Sequence, residues 1–115
     1  MTALTVYGIP NCDTVKKART WLGEQGIGFR FHDFRKEGLD RATVEAWLQS
    51  VPADKLLNRR GTTWRKLSEA EQARADSDLA GLLVEHPSLI KRPVMVDSGR
   101  ILVGFTPAER AALTG

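Results

Sequence analysis

Residues 4 to 34 read as strand, helix and strand, and this order constrains the fold more than any other feature of the chain. Leu4-Thr5-Val6-Tyr7 is a short apolar run that Gly8 and Pro10 bring to an end. From Asp13 to about Gln25, Val15, Ala18 and Leu22 recur at three- and four-residue spacing, while Lys16, Lys17, Arg19 and Glu24 take the wet face. Gly26 is well placed to cap that helix. Phe29, Phe31 and Phe34 then mark a second strand, and Lys36-Glu37-Gly38 a turn. Two strands joined through a helix should lie parallel with a right-handed crossover. The single cysteine, Cys12, stands where the first strand gives way to the helix. There it would face unpaired backbone N–H groups and the positive end of the helix dipole, conditions that favour the reactive thiolate.

The rest of the chain adds a helical stretch and then a hairpin. Asp40 is an expected N-cap, followed by Val44, Trp47, Leu48 and Val51 on one face. Residues 52 to 57 read as a connection, and Trp64 and Leu67 as anchors of a short helical turn. Asp76 or Ser77 is expected to start a further helix that carries Leu79, Leu82, Leu83 and His86 inward and stops at Pro87. No strand is expected between about 39 and 90, which reads as a helical insertion or lid within one domain of residues 1–115. Val94 to Val96 and Ile101 to Val103 form a hairpin around Asp97-Ser98-Gly99-Arg100. Thr106-Pro107-Ala108-Glu109 has the pattern of a capping box with proline at the first helical position, and a short final helix follows.

Composition narrows the function classes. With 17 basic and 14 acidic residues interleaved, the net charge of +3 suits anionic small molecules or acidic partner surfaces, and direct nucleic-acid binding is not expected. No apolar run is long enough for a membrane span, and Met1-Thr2-Ala3-Leu4-Thr5-Val6 lacks the marks of a signal peptide. One cysteine excludes a disulfide within the chain, and His32 and His86 have no metal-ligand spacing, so no metal site is expected. The expected compartment is the reducing cytoplasm.

Cys12 after the first strand, Ile90-Lys91-Arg92-Pro93-Val94 before the hairpin and Gly104-Phe105 after it resemble the arsenate reductase (ArsC) and Spx-like family. Asn11-Cys12-Asp13-Thr14-Val15-Lys16-Lys17-Ala18 and the stretch from Asn58 to Leu67 resemble its small glutathione-linked reductases. The resemblance covers essentially the whole chain. It implies an α/β fold of thioredoxin-like (glutaredoxin-like) type, a mixed sheet flanked by helices, with the helical insertion between the second and third strands. It also implies that Cys12 is the nucleophile and that Arg92 and Pro93 are the Arg-Pro pair bordering the substrate groove, with the proline cis. Arg60, or else its neighbour Arg59, is implied as a second anion-binding arginine. Asn11 and Thr14 are further candidates for contact with an oxyanion, with helix capping as the plainer role.

Two departures shape the functional expectation. Val103-Gly104-Phe105 stands where arsenate reductases resembling this family carry a third arginine, which argues against arsenate. Val15 stands where the redox-switch regulators resembling Spx carry a second cysteine. The expected activity is therefore a thiol reductase with no bound cofactor and glutathione as co-substrate. Cys12 attacks a small oxyanion or mixed disulfide, and glutathione or a glutaredoxin resolves the adduct. The alternatives are an Spx-like regulator that binds RNA polymerase, and a true arsenate reductase.

Overall fold

The computed structural model describes residues 4–114; Met1 to Ala3, which enter the signal-peptide reading, lie outside the described residues. The chain divides into two compact units, residues 1–38 with 92–115, and residues 39–91.

The first unit is built on a four-stranded sheet of order β2-β1-β3-β4, where β1 is Leu4–Gly8, β2 Arg30–Asp33, β3 Val94–Asp97 and β4 Arg100–Val103. β1 pairs in parallel with β2 and antiparallel with β3, and β3 pairs antiparallel with β4. This is the mixed, thioredoxin-like sheet that the element order implied. Along β1, Leu4, Val6 and Gly8 are buried and the intervening residues half-buried, the period of two expected for a strand. Helix α1, Asp13–Glu24, provides the β1–β2 crossover and buries Val15, Ala18 and Leu22, the three residues with helical spacing in the sequence. Leu4, Val6, Leu22 and Met95 form the core of this unit, with Phe29, Phe31 and Leu102 packed against it. Each such buried side chain contributes ~1.5–3 kcal/mol relative to exposure. Gly26 follows the end of α1 with φ 70°, the left-handed conformation a helix-ending glycine supplies at little cost.

The strand pattern fails at Phe34. Only Arg30–Asp33 pair with β1, and Phe34–Glu37 is a helical turn, α2. The Asp33 carboxylate accepts hydrogen bonds from the N–H groups of Arg35 (2.9 Å) and Lys36 (3.4 Å) and so caps the turn. Phe34 stays buried and stacks with Tyr7, but from a helix. The hairpin turn is tighter than the four residues anticipated. Asp97 pairs with Arg100 in the ladder, and Ser98 and Gly99, at φ 51° and 87°, make a two-residue turn. Helix α8, Pro107–Thr114, begins with the expected reciprocal cap. Glu109 accepts from both the N–H and the hydroxyl of Thr106 at 2.7 Å, and the Thr106 hydroxyl accepts from Ala108 N–H at 3.3 Å.

The second unit is helical: α3 Arg41–Ser50, α4 Ala53–Leu56, α5 Thr62–Lys66, α6 Glu69–Ser77 and α7 Leu79–Glu85, then a 3₁₀ turn Pro87–Leu89. Asp40 caps α3 through Thr43 N–H at 2.8 Å. Helices α3 and α7 pack together and bring in Val44, Trp47, Leu82 and Leu83. Three readings change here. The connection at 52 to 57 contains α4. The helix expected from Asp76 or Ser77 begins at Leu79, because Asp78 adopts a non-helical backbone and caps it through Gly81 N–H. A whole helix, α6, precedes it. Its signal was present as Ser68-Glu69-Ala70-Glu71, a capping box in which the Ser68 hydroxyl accepts from Glu71 N–H at 3.1 Å. His86 caps the end of α7, only half-buried, and its Nε2 lies 3.1 Å from the Glu71 carboxylate. No helix among the described residues is long and apolar enough to cross a membrane.

Candidate functional site

Cys12 is the N-cap residue of α1, with an extended backbone (φ −93°, ψ 125°). Its carbonyl accepts the first helical hydrogen bond, from Lys16 N–H at 2.9 Å, and its own N–H closes the preceding turn onto Ile9 at 3.3 Å. The bend needs close packing beneath it. A Cβ on Gly8 would lie 2.8 Å from Cγ2 of the fully buried Val15, so glycine lets the end of β1 approach the first turn of α1.

The thiol is half-buried, and burial by itself would push its pKa up. That effect is outweighed. The Val15 N–H, a hydrogen bond and the positive charge from Arg92, and the Thr14 N–H all favour the anion, and the thiol sits below the ordinary value of 9.0. The sulfur makes no hydrogen bond of regular capping geometry, so the helix acts on it mainly through the field of its first-turn N–H groups.

Arg92 arrives from the loop before β3. The Arg92–Pro93 peptide bond is cis, Pro93 is fully buried, and the Pro93 carbonyl accepts from Gly104 N–H at 2.8 Å. Gly104, at φ 92°, takes a backbone conformation that favours glycine. The sheet ladder thus extends one step past Val94–Val103 and fixes the residue beside Arg92. Cys12, Thr14, Arg92 and Pro93 are drawn to one end of the sheet, and Asn11 is exposed next to the thiol.

Arg60 belongs to the helical unit. Its N–H bonds the Asn58 side chain at 3.0 Å and its carbonyl accepts from Arg65 at 3.3 Å, while its side chain is exposed. Asn58, Arg59, Arg60 and Lys91 line a depression of about 380 Å³. Arg59 pairs with Asp54 at 3.4 Å and lies over the Trp64 ring at 5.4 Å. This loop is stitched to the end of its unit by an isolated bridge, Leu57 to Ile90, with Asn58 N–H on the Leu89 carbonyl at 2.7 Å. His32 is structural, its Nε2 donating to the Gly38 carbonyl at 2.7 Å and its ring packing on Tyr7. Sequence reasoning passed over Trp21 and Arg110, which with Phe105 join Lys16 and Lys17 around a cleft on α1. The available signal was Trp21 itself, a large aromatic on the face of α1 otherwise assigned to water.

A family model described as the ArsC family matches residues 7–113. The chain belongs to the ArsC family. Within it, the solved YFFB (PA3664) protein is 45% identical, with 95% of this chain and 96% of that one aligned and a TM-score of 0.88. An arsenate reductase (ArsC) related protein from Brucella melitensis is 47% identical, covering 99% and 95% of the two chains, with a TM-score of 0.75. The global transcriptional regulator Spx of Bacillus subtilis is 31% identical over 92% of this chain and 82% of its own. The family therefore holds both reductase-related proteins and regulators.

Proposed function

We propose that the protein is a glutathione-dependent thiol oxidoreductase whose nucleophile is Cys12. The observation that carries this reading is the pairing of Cys12 with Arg92 at the start of α1, which favours thiolate. In the proposed cycle the Cys12 thiolate attacks the glutathione sulfur of a mixed disulfide. A new Cys12–glutathione disulfide forms, and the substrate sulfur leaves as a thiolate and takes up a proton. A second glutathione thiolate then attacks the glutathione sulfur of the adduct, releasing Cys12 thiolate and oxidised glutathione. The electron pair comes from glutathione, directly or through a glutaredoxin, because the chain has no second cysteine to resolve the adduct.

Arg92 would hold the substrate's negative charge beside the sulfur, with Asn11 and Thr14 as neighbouring donors and Pro93 as the wall of the groove. Arg60 is the second anion-binding residue in this reading, since Arg59 is already engaged by Asp54 and Trp64. The reducing cytoplasm is the fitting compartment. Incubation with oxidised glutathione followed by intact mass measurement tests the proposal. One glutathionyl adduct, lost in Cys12→Ser, is expected; an unmodified chain refutes it.

The kinship with Spx favours a second reading, a regulator that binds RNA polymerase. Recovery of polymerase by the Cys12→Ser variant as well as by the unaltered chain would support it. Arsenate reduction is the weaker member of the family's activities for this chain, since Val103-Gly104-Phe105 offers no third arginine. Turnover of arsenate with glutathione and glutaredoxin would reinstate it.

A further inference from the structure

A cleft of about 590 Å³ runs along the outer face of α1 to the start of α8, lined by Lys16, Lys17, Thr20, Trp21, Phe105 and Arg110 among others. A neighbouring depression of about 340 Å³ shares Lys16 and Thr20 and adds Arg19 and Phe29. The two are lined by four cations, Lys16, Lys17, Arg19 and Arg110, and by one carboxylate, Glu24. The chain as a whole is nearly balanced, with 17 basic and 14 acidic residues, so this excess is local.

The floor is aromatic and ordered. Trp21 meets Phe105 edge-on at 5.6 Å, and Arg110 lies over the Phe105 ring at 5.2 Å. Arg19 lies over Phe31 at 4.1 Å. Cations rested on rings are held in place, so less side-chain freedom is lost when an anion docks. The cleft reaches the first turn of α1, two residues from Cys12. Thr14 lines it, and the Thr14 N–H favours the Cys12 thiolate.

We propose that this surface docks an acidic peptide segment carrying apolar or aromatic side chains, the stretch of an oxidised protein substrate that flanks its mixed disulfide. The inference rests on the thiol-reductase reading and deepens it from small disulfides to proteins. Carboxylates would lie along Lys17 and Arg110, apolar side chains against Trp21 and Phe105, and the disulfide would reach Cys12. Two contiguous depressions extend beyond the start of α1 and suit a chain segment better than a compact molecule.

The test uses the full-length Cys12→Ser protein and a fluorescent peptide that alternates glutamate with leucine and phenylalanine around a central serine. Anisotropy should show this peptide binding at least about tenfold more tightly than its lysine counterpart, with affinity falling as salt rises. Lys17→Glu and Arg110→Glu should each weaken binding about tenfold, while Arg35→Glu and Lys36→Glu, on α2, leave it unchanged. Equal binding of the two peptides, equal losses from the α2 variants, displacement by glutathione alone, or tighter binding of a single-stranded oligonucleotide would each overturn the proposal. The underlying reading fails separately, by the absence of a glutathionyl adduct on Cys12 in the unaltered protein.

Discussion

Arg92, from the loop before β3, hydrogen-bonds the sulfur of Cys12 at the start of α1 and sets its positive charge beside it. The two are 80 positions apart in the chain, and the β1–β3 pairing brings their segments side by side. Burial alone would make Cys12 a poor nucleophile, and the Arg92 side chain counters burial in favour of the thiolate. Arg92→Ala should therefore raise the thiol pKa towards 9.0 and slow iodoacetamide alkylation at neutral pH by about three- to tenfold, the scale of a solvent-screened, charge-assisted contact. Arg92→Lys should recover part of this through charge. An unchanged alkylation profile in Arg92→Ala would remove Arg92 from the site.

The same lowered pKa links Cys12 to folding. The native thiol binds fewer protons than the unfolded one, so its contribution to stability grows as pH rises from the lowered native value towards 9.0 and is complete above that. Urea unfolding across this window should show a stabilising slope that Cys12→Ser lacks; identical slopes for the two proteins would contradict it.

Gly8→Ala places a methyl group 2.8 Å from Val15 Cγ2 in a fully buried contact. The expected cost is ~1–3 kcal/mol from overpacking. The Val15 N–H also favours the Cys12 thiolate, so alkylation of Cys12 should slow as well. Chemical denaturation and alkylation, measured on the same variant, test the coupling between packing and reactivity.

In the helical unit Asp78 caps α7, meets Arg41 at 2.6 Å and lies 3.6 Å from Arg74. Its carboxyl is held below the ordinary value of 3.8, first by the Arg41 hydrogen bond. A lowered native pKa gives stability that is present above 3.8 and lost as pH falls through the native value. Asp78→Asn should flatten this part of the acid unfolding curve followed by circular dichroism. Gly81→Ala should mimic the loss of the pair at neutral pH, because its Cβ would collide with Asp78 Oδ2.

Thr106 donates its N–H and its hydroxyl to the Glu109 carboxylate at the start of α8, with Glu109 almost fully buried. Removing the hydroxyl and its hydrogen bonds in Thr106→Val should cost ~1 kcal/mol of stability, read from the urea midpoint. A midpoint shift within measurement error would mean that the cap is redundant.

Local chemistry was legible in the sequence. Apolar spacing marked β1 and α1, the chain order required the parallel pairing of β1 with β2, Asp40 and Thr106 announced their helices, and Cys12 was visible at a helix start. The errors fell where local signals compete. Phe34 read as a third aromatic of the strand after Phe29 and Phe31, but Asp33 bonded to the next backbone N–H groups and turned the chain into a helix. Asp76 and Ser77 looked like caps, yet a helix already in progress incorporated them, and Asp78 broke it.

What the sequence by itself determined was which residues are able to do chemistry: one thiol, a helix start beneath it, and arginines that suit anions. The tertiary structure alone decided which of them meet. Whether Arg92 lowers the pKa of Cys12 depends on a strand pairing between distant segments, and Trp21, packed against the core, also lines a cationic cleft only because Phe105 and Arg110 return beside it. Periodicity assigns a residue to a face of its own element, but contacts between elements come from long-range packing that no local spacing encodes.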